Sequence, residues 1–161
     1  MNVVKINEKD VQALSRLAKQ IIFESPYYSD LAKRECMHDF LIKKIKTDLK
    51  DKTVLLLAAK TDGKMVGFIR GYFEGGIASG IFWFQWICID TAFQRNGIAN
   101  KMLNYLTKKV KLAYGTHKIV CVIRPENEAS ISLFKKNKYQ KLTTLKKHWY
   151  KEEFLLWYKD I

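Results

Sequence analysis

With two prolines and eight glycines in 161 residues, the chain has little that could serve as a flexible linker. No low-complexity stretch or internal repeat interrupts it. Its three cysteines, Cys36, Cys88 and Cys121, are far apart, odd in number and without C-x-x-C spacing. That pattern supports neither a disulfide framework nor a zinc site, and Cys88 and Cys121 lie in apolar runs where a cysteine behaves as a small hydrophobe. No apolar run reaches the roughly 20 residues of a membrane helix, and the N-terminus lacks a secretory pattern. The expectation is one soluble, cytoplasmic domain spanning 1–161.

Acidic residues are also scarce. Sixteen Asp and Glu face 29 Lys and Arg, for a net charge of +13. The imbalance is concentrated from residue 84 onward, where 15 basic residues accompany 6 acidic ones. Such a field would steer a polyanionic cofactor or a nucleic acid. It also fits an ordinary lysine-rich solvated surface, since the lysines are spread singly or in pairs and no nucleic-acid motif accompanies them.

What is present is ample apolar character, 48% of residues, arranged with clear periods. The stretch Ile81 to Ile89, bounded by Gly80 and Asp90, is a short aromatic and β-branched run that reads as a buried strand. A polar turn, Asp90 to Asn96, follows it. A helix then opens at Gly97, with Ile98, Met102, Leu103, Leu106, Val110 and Ala113 at three- and four-residue steps. A strand feeding a helix through a tight loop leaves unpaired N–H groups at the helix start, which with the helix dipole favour an anion such as phosphate. Gly97 would allow close backbone approach and Ala99 is small for the same reason, while Arg95 adds a fixed positive charge. An ordinary strand–helix turn shares these features.

The remaining elements follow from the same periods. Strands are expected at 2–7, 53–59, 64–74 and 118–124, and in a closing pair at 139–149 and 154–159. Helices are expected from Glu8 to Phe23, capped by Asn7 with Asp10 three residues on, from about Asp30 to Leu49 with Leu31, Met37, Phe40, Leu41 and Ile45 inward, and from Asn127 to Lys136.

The order Gln94-Arg95-Asn96-Gly97-Ile98-Ala99 resembles the Q/R-x-x-G-x-G/A motif of the GNAT superfamily of acetyl-CoA-dependent N-acetyltransferases, with Ala99 at its second glycine. About thirty residues on, Ile123-Arg124-Pro125-Glu126-Asn127 through Phe134 to Tyr139 resembles that family's strand, Asn-capped helix and aromatic sequel. The order of elements is also that family's. The resemblance implies an α/β fold: a central, splayed, mixed sheet of six to seven strands flanked by about four helices. It implies coenzyme A in the splay between the strand ending at Ile89 and the strand 118–123. Gln94, Arg95, Asn96, Gly97, Ile98, Ala99 and Asn100 would hold the pyrophosphate. The main chain of Ile87, Cys88 and Ile89 would hold the pantetheine arm, with Asn127 and Phe134 beside it. The closing segment Lys147 to Tyr158 is most similar to enzymes acetylating the N-termini of ribosomal proteins.

The implied reaction is direct attack of a primary amine, on a small molecule or a protein N-terminus, on acetyl-CoA in a ternary complex. Two departures from the family stand out. Phe134 replaces the tyrosine whose hydroxyl protonates the leaving thiolate, and Lys138 replaces a glycine, implying an altered turn. The strand 119–123 carries no glutamate to act as base, leaving Glu74, His148, Tyr150 and Glu153 as candidates, with His148 the group titrating nearest neutrality. The acceptor pocket is expected between 24–30 and the final hairpin, with Tyr27, Tyr28, Trp149 and Tyr150 as aromatic walls. The tyrosine missing at Phe134 and the glutamate missing from the strand 119–123 motivate an alternative, a catalytically weak or inactive binding module of the same fold with a basic surface. A homodimer joined by a sheet edge is compatible with such a fold, but nothing in the residues selects one.

Overall fold

A computed structural model describes residues 1–161 except the side chain of Ala113, whose expected place on the inner helix face lies outside the described residues. In chain order the elements are β1 (Asn2–Lys5), α1 (Val11–Glu24), α2 (Asp30–Cys36), α3 (Ile42–Lys50), β2 (Val54–Thr61), β3 (Lys64–Phe73), β4 (Ile81–Ile89), α4 (Ile98–Tyr114), β5 (Lys118–Ile123), α5 (Glu128–Lys136), β6 (Gln140–Leu145) and β7 (Phe154–Asp160). The strands form one mixed seven-stranded sheet in the order β1-β2-β3-β4-β5-β7-β6, antiparallel except between β4 and β5. With its five helices this is a mixed, splayed α/β architecture, as the sequence resemblance implies.

Alternation along β2 shows how the sheet divides the interior. Leu55, Leu57 and Ala59 join a core completed by Met102, Leu103, Leu106 and Val110 of α4 and Phe134 of α5. Leu56 and Ala58 join a second core with Leu14, Leu17, Ala18 and Ile22 of α1 and Ile45 of α3. A central strand apolar on both faces is what a sheet covered on both sides requires.

Asn7 and Asp10 form the expected capping box, with a 3₁₀ turn at Glu8–Asp10 before α1 proper begins at Val11. The single long helix expected over 30–49 is instead two helices separated by a 3₁₀ turn, Met37–Phe40, and an extended Leu41 (ψ 138°). The break sends Phe40 into the second core, edge-on to Phe68 at 5.0 Å and to Trp86 at 5.8 Å, and leaves Leu31 and Leu41 exposed rather than inward. The sequence's 3.6-residue pattern had hidden that break.

Beneath the break lies a buried ion pair. Arg70, in the middle of β3, donates from Nε and Nη2 to Asp48 Oδ2 at 3.1 and 2.9 Å, and it lies 3.4 Å from Asp39. Lys44 also bridges to Asp48, and Arg70 Nη1 donates to Gln85 Oε1. Gln85 is the extra residue of a β-bulge, since Arg70 faces Trp86 whereas Gly71 faces Phe84. Bulges bend the strand that carries them. Pairing between β4 and β5 accordingly runs from Ile81↔Lys118 only to Phe84↔Cys121 and stops at the bulge.

The turn at Lys138 is not altered, correcting the expectation from its missing glycine. Lys138 adopts φ +64°, the left-handed conformation a glycine would supply, and the helix-ending bonds Lys138 N–H to Lys135 O (2.9 Å) and Tyr139 N–H to Phe134 O (3.0 Å) form around it.

Candidate functional site

Past the bulge, β4 diverges from β5 and opens a cleft of about 700 Å³ at the carboxyl ends of the two parallel strands. Asp90 N–H turns to Val66 O on β3. By the two-residue period of a strand, the main-chain groups of Ile87 and Ile89 therefore point to the opened side. Gln94 Nε2 reaches Ile89 O there at 3.1 Å, which engages that carbonyl and leaves the Ile87 rung to the cleft.

The loop from β4 to α4 is held by its own side chains. Asp90 accepts from Ala92 N–H at 3.1 Å, and Asn96 Nδ2 donates to the carbonyls of Phe93 and Gln94 at 3.3 and 3.2 Å. Arg95 (φ +62°) and Gly97 (φ +72°) are both left-handed. A Cβ on Gly97 would meet no protein atom within 4 Å, so within the protein itself glycine is required by its backbone angle rather than by space. No side chain caps α4 and no acidic residue stands in its first turn. The N–H groups of Ile98, Ala99 and Asn100 are thus open toward the cleft, with the positive end of a 17-residue helix behind them. Arg95 and Asn127 line the same space, as does Phe134, and Asn127 also caps α5 by accepting from Ser130 N–H at 3.0 Å. Asn137 Nδ2 donates to Asn100 Oδ1 at 2.9 Å, tying the end of α5 to the start of α4.

Of the residues expected around coenzyme A, the cleft gathers Ile87, Cys88, Ile89, Gln94, Arg95, Gly97, Ile98, Ala99, Asn100, Asn127 and Phe134. Asn96 is not among its lining residues and instead shapes the loop. Phe134 is fully buried, edge-on to Phe84 at 5.3 Å and to Tyr139 at 4.8 Å. Burial pushes the Cys88 thiol up to about 12, far from nucleophilic thiolate chemistry.

A second cavity of about 280 Å³ adjoins the cleft, sharing Tyr28, Gln85, Trp86 and Val122 with it. Its other walls are Glu35 and Cys36 of α2, Asp39 of the 3₁₀ turn after it, Trp83, and Trp149, Tyr150 and Phe154 from the closing hairpin. The 24–30 connection, through Tyr28, and the final hairpin therefore meet at this cavity, whereas Tyr27 lines the larger cleft. Arg124, ending β5, pins the hairpin in place: its Nη1 lies 3.1 Å from Glu152 and donates to Glu153 O at 2.9 Å, and its guanidinium sits 5.1 Å from the Phe154 ring centre. Burial raises the Tyr28 hydroxyl well above its ordinary value. Tyr150 is raised by burial first and then by Cys36 and the carboxylates of Glu35, Asp39 and Glu152.

The catalytic candidates do not converge. Tyr150 lines the smaller cavity. His148 is exposed, its ring 4.8 Å from that of Trp149, and it lines neither space. Glu74 donates its N–H to Ile81 O, at the start of β4 and so at the opposite end of that strand from the cleft. Sequence reasoning did not single out Arg70, Asp48 or Gln85, although an arginine inside the apolar run MVGFIRGYF was a signal for a buried pair.

A family model described as "Acetyltransferase (GNAT) family" matches residues 18–139. An acetyltransferase of Pectobacterium atrosepticum is 31% identical over 86 residues, 53% of this chain and 57% of that protein. The chain thus spans a little over half the length of this curated relative. Among solved structures, the PaiA N-acetyltransferase of Thermoplasma acidophilum in complex with coenzyme A superposes with a TM-score of 0.82 at 15% identity, covering 99% of this chain and 98% of that one. The ribosomal-protein-alanine N-acetyltransferase of Brucella melitensis gives a TM-score of 0.78 at 19% identity, with full coverage of both chains.

Proposed function

Because the chain belongs to the acetyltransferase (GNAT) family, we propose that it transfers an acetyl group from acetyl-CoA to a primary amine, with both substrates bound at once in the cytoplasm. The observation that carries this reading is the meeting of three features in one cleft: the unpaired edge of β4, the uncapped start of α4, and an opening past Tyr28 into a second cavity. Acetyl-CoA would supply an activated thioester. The α4 amides and Arg95 would hold its pyrophosphate, and the Ile87 rung its amide-bearing arm.

In that arrangement a β4 main-chain N–H donates to the thioester oxygen as charge develops on it. The neutral amine's nitrogen bonds to the acetyl carbon, the carbon–sulfur bond breaks, the sulfur takes a proton, and the nitrogen releases one through water that restores the donor. Phe134 has none to give. Tyr28 is the hydroxyl-bearing residue that lines both cavities, and burial keeps it protonated, so it is assigned the proton donor's role.

Calorimetric titration with acetyl-CoA, followed by free-thiol release with an amine panel, tests this reading. One-to-one binding and amine-dependent thiol release are expected. Tyr28→Phe should lower kcat by about 10²-fold, the low end for general acid catalysis, with acetyl-CoA affinity kept within about threefold. Binding with no turnover of any amine would favour the inactive module. No binding would remove the reading altogether, and an unchanged kcat in Tyr28→Phe would remove the tyrosine's role.

A further inference from the structure

The smaller cavity differs from the rest of this molecule in its electrostatics. The chain carries +13, yet the charged side chains lining the cavity are Glu35 and Asp39, with no lysine or arginine among them. Nearby cations are already engaged: Arg70 is bound to Asp48 and Gln85 besides Asp39, and Arg124 to Glu152 and Glu126. Glu35 makes no ion pair among the described residues and stands exposed at the rim. The remaining walls are aromatic rings, including Tyr28, Trp86, Trp149 and Tyr150. Ring faces and carboxylates together attract an organic cation. At about 280 Å³ the cavity falls below the range typical of drug-sized ligands, roughly 300–1,000 Å³.

We propose that this cavity takes an acceptor bearing a second positive charge, a flexible α,ω-diamine. Its far ammonium rests among Glu35, Asp39 and the aromatic walls while its near amine faces the cleft at Tyr28. The inference rests on the acetyl-transfer reading and specifies its acceptor. A neutral peptide N-terminus or an arylalkylamine would satisfy the rings and leave Glu35 without a partner and Asp39 with only Arg70 and the Trp86 indole N–H, each at 3.4 Å. The diamine uses both features. The same carboxylates, with Glu152, push up the Tyr150 hydroxyl and the Cys36 thiol after burial, Cys36 to about 12.

The test is thiol release at saturating acetyl-CoA. Diamines from 1,4-diaminobutane to 1,8-diaminooctane are compared with n-alkylamines of matched length, 2-phenylethylamine and a neutral tripeptide with a free N-terminus. The best diamine should exceed its matched monoamine about tenfold in kcat/KM, mainly through KM, consistent with one cation–π contact plus partly screened ion pairs. Glu35→Gln, a surface change on α2, should shrink that ratio to about threefold or less. The diamine assignment falls if a monoamine, 2-phenylethylamine or the tripeptide matches every diamine, or if Glu35→Gln leaves the ratio unchanged. In those outcomes acetyl transfer itself still stands. If acetyl-CoA binds and no amine is turned over, or if it does not bind, the acetyl-transfer reading and the diamine assignment fall together.

Discussion

Gly97→Glu should weaken acetyl-CoA binding at least 100-fold in a calorimetric titration while leaving the protein folded. A Cβ added at Gly97 meets nothing within 4 Å, so the new side chain starts from the backbone without a clash at that atom. Its backbone must remain at φ +72°, which costs about 1–2 kcal/mol for a residue with a Cβ. The larger effect is electrostatic. A carboxylate at the cap of α4 is welcomed by the helix dipole and by Arg95, and so occupies the position assigned to the pyrophosphate. Like charges brought together in this way cost several kcal/mol, more than the roughly 2.7 kcal/mol of a 100-fold change. Gly97→Asn separates the causes, because asparagine tolerates the left-handed angle and carries no charge. It should bind far more tightly than the glutamate variant. Wild-type affinity in Gly97→Glu would overturn the phosphate-loop assignment.

The second large effect is on stability. Asp48→Ala should lower the free energy of unfolding by about 3–5 kcal/mol in urea titration, the usual result of orphaning one member of a buried pair. The Asp48 side chain is 1% exposed and that of Arg70 5%. Without Asp48, the guanidinium retains Asp39 at 3.4 Å and Gln85, and the direct carboxylate bond that neutralises it is gone. For a chain of this size the melting temperature should fall on the order of 10 °C. Replacing both partners, as in Asp48→Leu with Arg70→Met, should recover much of the loss, because an apolar pair strands no charge. A loss below about 1 kcal/mol in Asp48→Ala would mean that water reaches Arg70 and the pair is not structural.

The parts of the molecule legible in the sequence are those that local chemistry determines. The turn QRNGIA after an apolar strand, the capping residues Asn7 and Asn127, and the α4 periodicity each arise within a dozen residues and recur in the structure. What the sequence hid depends on residues far apart in the chain. The interruption between α2 and α3 is favoured by Phe40 packing against Phe68 and Trp86 and by Asp39 and Asp48 approaching Arg70, partners supplied by later strands. Lys138 was read as a changed turn from its residue type, whereas the bonds closing α5 hold the lysine in glycine's conformation. Glu74 was a reasonable base by type and fell at the wrong end of β4, since a strand's far end is invisible until its register is known. Tyr28 read only as an aromatic wall, because its position between two cavities depends on a hairpin more than a hundred residues away.

The short seam between β4 and β5 has a mechanical consequence. Residues 1–89 complete a four-stranded antiparallel unit before the last three strands enter the sheet, and the two halves are stitched by four residue pairs, Ile81↔Lys118 to Phe84↔Cys121. Beyond those pairs the sheet is a pair of jaws. A molecule lodged between them acts as a strut as well as a reactant. By linkage, a ligand at 100 times its dissociation constant adds about 2.7 kcal/mol to the folded state. That gain would fall on a junction of only four rungs, so the filled protein should resist the parting of its jaws more strongly than the empty one.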